Sequence, residues 1–84
     1  MALGAIGDAH TELGDNQKGI SFYTKAANRN NNELTTPMFL LKAGRLSAIE
    51  GDTEAAKKMF NRIKSEFPNS IEGLEIDKYL VGVQ

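Results

Sequence analysis

The chain has 84 residues, 40% hydrophobic and 25% charged, with no cysteine, one histidine and a formal net charge of −1, a composition that fits one small soluble domain. Its ten basic and eleven acidic residues are interspersed, so no charge block draws it to nucleic acid or anionic lipid, and without thiols disulfides and thiolate metal sites are excluded. No apolar run approaches the roughly 20 residues that cross a bilayer, and no basic region leads into an apolar one at the N-terminus, so neither membrane insertion, a signal peptide, a metal nor a cofactor is expected.

In chain order, Leu3, Ile6, His10 and Leu13 recur at helical spacings and predict a helix over residues 2–13, closed by Gly14-Asp15. Asp15 caps a second helix running to about Asn28, with Ile20, Tyr23 and Ala27 on one stripe and Phe22 and Ala26 flanking it. So short a connection requires antiparallel packing. The polar run Asn28–Glu33 lacks periodicity and predicts a loop. Thr36-Pro37 restarts the chain as cap and first helical residue. Met38, Leu40, Leu41, Leu46 and Ile49 give the third helix a broad apolar surface up to Gly51-Asp52. In the fourth, Ala55, Ala56, Met59, Phe60 and Ile63 share one face. Pro68 ends that helix, and Asn69 with Glu72 reads as a capping box for a fifth. Ile71, Leu74, Ile76, Tyr79, Leu80 and Val83 predict that this last helix packs on the rest.

Sliding the sequence by 37 residues superimposes Leu3 on Leu40, Gly7 on Gly44, Gly14-Asp15 on Gly51-Asp52, Tyr23 on Phe60 and Ala26 on Ile63. A fixed period built from two helices is the signature of a solenoid, in which each hairpin completes its core on the next. Gly7 and Gly44 each cost about 1 kcal/mol relative to alanine inside a helix, so close helix crossing must require them, with Gly19 and Ala56 as the facing small residues and Tyr23 and Phe60 filling the space beyond.

These residues resemble the tetratricopeptide repeat family. Leu3, Gly7, Gly14, Gly19, Tyr23 and Ala26 match its pattern in the first hairpin, and Leu40, Gly44, Gly51, Ala56, Phe60 and Pro68 in the second. The chain departs from it at His10 and Ser47, where an aromatic is usual, at Asn31, where proline is common, and in a spacing three residues longer. The resemblance implies an all-α fold of two antiparallel hairpins plus a C-terminal capping helix, a fragment of a right-handed solenoid. Repeat 1 would cover about 1–31, repeat 2 about 36–68 and the capping helix about 70–82 of one domain over 1–84. The start at Met1-Ala2-Leu3 suggests a piece of a longer chain.

The resemblance also implies a non-catalytic module that binds a protein or peptide. Lining of the concave surface by the first helix of each hairpin would place Asp8, Thr11, Glu12, Leu41, Arg45, Ala48 and Ile49 in the groove, an apolar centre with opposed charges suited to a peptide or helix. Gly4 and Asp8 stand where members that grip acidic chaperone tails have lysine and asparagine, which disfavours that ligand. Two repeats fall below the roughly three usually needed for stability, so the same face could instead cover itself against a missing repeat or a second copy, giving a homo-oligomer. The aromatic-Pro-Asn-Ser ending at Phe67–Ser70 is similar to bacterial envelope members, which implies a periplasmic parent chain, with the cytoplasm as the alternative.

Other candidates read as structural. His10 has no spaced partner for a relay and occupies a packing position. Glu72, Glu75 and Asp77 form a solvated acidic face near a helix start. Gly4, Gly7 and Gly14 lack the strand–turn–helix setting of a phosphate loop. Lys57, Lys58, Arg62 and Lys64 form a basic stripe without stacking aromatics, in which Glu54 and Lys58 are spaced to pair.

Overall fold

The computed structural model describes residues 2–84; Met1, where the sequence enters its first amphipathic segment, lies outside them. The described residues form five helices, α1 (Leu3–Glu12), α2 (Asn16–Arg29), α3 (Thr35–Ile49), α4 (Thr53–Glu66) and α5 (Ile71–Val81). Each packs on its neighbour in sequence, and α3 also touches α5, so a layer of α1, α3 and α5 lies beside one of α2 and α4.

The two Gly-Asp turns are built alike. Gly14 and Gly51 both adopt φ +84°, the left-handed conformation that ends a helix and that a side chain strains. Asp15 N–H then reaches the His10 carbonyl at 2.8 Å and Gly14 N–H that of Thr11 at 3.0 Å; Asp52 with Ser47 and Gly51 with Ala48 repeat the pattern at 2.9 and 3.1 Å. The aspartate carboxylates cap the following helices, accepting from Lys18 and Ala55 N–H at 3.1 Å each.

The other helix starts differ from the expected ones by a residue or more. The Asn32 side chain, rather than Thr36, accepts from the Leu34 and Thr35 amides at 2.9 and 2.8 Å. Thr36 is buried, its hydroxyl donating to the Ala27 carbonyl at 3.2 Å and accepting from Asn32 N–H at 2.9 Å, so it ties the end of α2 to the start of α3. At α5 the cap is Ser70, which accepts from Gly73 N–H at 2.9 Å; Asn69 is one residue too early to reach that turn. Glu54 pairs with Lys57 at 3.8 Å rather than with Lys58.

Gly7 and Gly44 each face a ring directly. A methyl group there would lie 2.8 Å from Tyr23 and 2.5 Å from Phe60 respectively, so the rings themselves occupy the missing side chains' space. Gly19 lies against Thr11 and the Gly7 carbonyl, which brings α1 and α2 together at one crossing. The core joins Phe60, Ile63, Leu40, Ala27, Ala56 and Ile76, and the burial of each large side chain is worth about 1.5–3 kcal/mol. Ile76, with Val83 just beyond the helix, docks α5, whereas Ile71 and Leu74, expected to pack, are exposed: five and two residues before Ile76, they fall off its stripe of the helix.

Candidate functional site

The repeat places Asp8 and Arg45, Thr11 and Ala48, and Glu12 and Ile49 at equivalent positions of α1 and α3, while Leu41 is the equivalent of Gly4. Asp8, Glu12, Arg45 and Ile49 are exposed. Ile49 keeps 69% of its surface in water, one helical turn from Arg45, whose guanidinium lies over the Tyr79 ring at 5.7 Å. Thr11 directs its hydroxyl to the Gly7 carbonyl at 2.8 Å, and Leu41 and Ala48 pack against the core beside α5 residues. The exposed members of the set are therefore two acids on α1 and a cation and an aliphatic side chain on α3.

Asp8 is also tied inward. Its carboxylate accepts from the Tyr23 phenol and from the Lys42 ammonium, the latter at 3.2 Å, which joins α1, α2 and α3 through one side chain. The phenol's hydrogen bond, then that of Lys42, holds the Asp8 carboxyl below the usual carboxylate range. Burial, reinforced by the bond to Asp8, pushes the Tyr23 phenol up. Lys42 lies 5.4 Å from the Tyr23 ring centroid, and Phe39 stacks on that ring at 6.2 Å.

The remaining candidates have structural surroundings. His10 stacks on Phe22 at 5.4 Å, and Ser47 is buried with its hydroxyl on the Ala43 carbonyl at 2.9 Å, so both departures from the family's usual aromatic are accommodated locally. Glu75 pairs with Lys78 at 2.8 Å and Asp77 with Lys64 at 2.9 Å. Arg62 of the basic stripe spans Glu66 at 3.3 Å and Asn28 at 2.8 Å. Sequence reasoning missed Phe39 and Lys42, which link the repeats. Gly4 was the available signal for Phe39, because a side chain there would collide with that ring; nothing in the spacing marks Lys42.

No helix is long and apolar enough to cross a membrane among the described residues. No curated protein and no solved structure shows significant similarity to the chain. Two tetratricopeptide repeat models do match it, over residues 2–33 and 39–70, and these segments begin 37 residues apart, the same interval that separates the glycine–ring contacts, the Gly-Asp turns and the aspartate caps. With both repeats matched and each built on the same contacts, the chain belongs to the tetratricopeptide repeat family, whose repeats mediate protein–protein interaction.

Proposed function

We propose that the α1–α3 face binds a peptide or helix of a partner protein, with Asp8, Glu12, Arg45 and Ile49 making the contacts and Thr11, Leu41 and Ala48 forming the floor. The observation that carries this reading is the pairing of exposed side chains at repeat-equivalent positions, with Ile49 an aliphatic anchor beside Arg45 and both acids on the neighbouring helix. An amphipathic segment with one apolar residue between charges of both signs would satisfy all four. The test is selection of a random-peptide display library on the chain, followed by measurement of the selected peptides on Ile49→Asp and Arg45→Glu. Ile49 and Arg45 are exposed, so both variants keep their fold, and binding should fall about tenfold or more. Peptides that bind the variants undiminished would rule the face out.

Self-association through this face is the competing reading, favoured by the exposed aliphatic side chains of Leu13 and Ile49. Sedimentation across a dilution series separates the two. A dimer that persists at nanomolar concentration and dissociates on Ile49→Asp supports self-association, and a monomer throughout supports the open groove.

A further inference from the structure

A second candidate surface lies where the α2–α3 and α4–α5 connections meet, and it shares no residue with the α1–α3 face. Glu33 and Leu34 from the first connection and Glu66 to Glu72, the second connection with the end of α4 and the start of α5, line a cleft of about 430 Å³, a volume within the range of small-ligand and side-chain pockets. Phe67, buried, contributes to its base, and Leu34 and Ile71 stand on its walls with 83% and 77% of their surface in water. Two large aliphatic side chains held in one concavity and left wet form an apolar patch that an inserted side chain would cover.

The rim has one sign. Glu33, Glu66 and Glu72 line the cleft and no lysine or arginine does, although the whole chain carries a net charge of only −1. Arg62 offsets Glu66 at 3.3 Å; among the described residues Glu33 and Glu72 make no ion pair. The N-terminus of α5 opens beside the cleft and by itself favours an anion, but a helix end is worth about half a charge, and its first turn already has the Ser70 cap and Glu72. Full carboxylate charges outweigh it, so the cleft is a cation-seeking rim around an apolar centre.

We propose that this cleft is a second docking site, for a short peptide segment in which one aliphatic side chain is flanked by lysine or arginine. The aliphatic side chain seats between Leu34 and Ile71 over Phe67, and the flanking cations reach Glu33 and Glu72. An acidic segment is repelled by the same rim. A bare metal ion does not suit aliphatic walls, and among the described residues no three metal-binding side chains converge.

The test uses fluorescence anisotropy of a labelled pentapeptide, Lys-Arg-Leu-Lys-Lys, titrated with the 84-residue chain. Saturable binding is expected, weakened about tenfold or more when the peptide's leucine becomes serine, when the protein carries Ile71→Ser, or when it carries Glu33→Lys with Glu72→Lys. It should also weaken as salt rises from about 0.05 to about 0.5 M, while Ile49→Asp on the α1–α3 face leaves it unchanged. Circular dichroism checks that the variants fold. Equal binding of the serine and leucine peptides would reduce the site to charge attraction and overturn the proposal. So would loss of binding on Ile49→Asp, no saturation up to about 1 mM peptide, or a dimer that Ile71→Ser converts to monomer, since the cleft's occupant would then be a second copy.

Discussion

At Gly44 a methyl group would sit 2.5 Å from a Phe60 ring that is itself fully buried. Overpacking of this kind costs about 1–3 kcal/mol, against about 1 kcal/mol returned by the better helix propensity of alanine. Gly44→Ala should therefore destabilise the chain by roughly 1 kcal/mol, and in a Phe60→Leu background the same change should become neutral or stabilising; a double-mutant cycle from urea denaturation reads the coupling. Asp8 and Tyr23 both contribute to the pH dependence of stability. The folded chain holds the Asp8 carboxyl low and the Tyr23 phenol high. On acidification the unfolded chain takes up the carboxyl proton first, so this contribution is full above about pH 4 and is lost as pH falls through the folded value. On alkalinisation the unfolded chain loses the phenol proton first, so that contribution is full below about pH 10 and is lost above it. Tyr23→Phe should abolish the alkaline loss due to this group and shrink the acid one, leaving the Lys42 pair, as read from urea midpoints across pH.

At the scale of the helix, the Gly-Asp turns perform two separable tasks. A Cβ at Gly51 would meet nothing within 4 Å, so alanine there is penalised only by φ +84°. Gly51→Ala should cost about 1–2 kcal/mol and Gly51→Asn less, since asparagine tolerates that conformation. Asp52→Ala instead removes the α4 cap, at about 1 kcal/mol. Thermal unfolding of the three variants distinguishes strain from capping. The errors at the other helix starts share a cause: Asn32, Thr36, Asn69 and Ser70 are all competent caps, and the choice among them depends on where the preceding helix lets the chain turn. Thr36 was drawn away from capping by the Ala27 carbonyl, a partner nine residues distant.

For the molecule as a whole, α3 is the element with neighbours on most sides, touching α2, α4 and α5. Native-state hydrogen exchange should find α3 the best protected and α5, in which Ile76 is the buried residue and Tyr79 and Leu80 are partly buried, the first to open. In the same helix Ile76→Ala should cost about 2–4 kcal/mol, whereas Leu74→Ala, at an exposed position, should change stability by no more than about 0.5 kcal/mol. Side-chain bonds that join the repeats recur 33 or 34 residues apart, as in Asp8 to Lys42, Asn28 to Arg62 and Gln17 to Glu50. They lie at the surface, so packing of Phe39 on Gly4 and Tyr23 and of Leu46 on Gly19 carries more of the inter-repeat cohesion.

By itself the sequence determined the five helices, the hairpin turns and the repeat, because these follow from local rules: a 3.6-residue apolar period, glycine's access to positive φ, an aspartate placed to cap, and a recurrence that can be counted. Helical spacing also groups Asp8, Thr11 and Glu12 on one stripe of α1, and Leu41, Arg45, Ala48 and Ile49 on one stripe of α3, whereas their union into one groove is what the family resemblance implies. Only the tertiary structure decided which apolar side chains are covered. Ile71, Leu74 and Ile76 have the same character in sequence, yet Ile76 docks on the core and the other two stay in water, because burial depends on which neighbour lies opposite. The Asp8–Tyr23–Lys42 link and the acidic cleft at Leu34 and Ile71 arise likewise from segments far apart in the chain, brought together by helix crossings that no local period encodes.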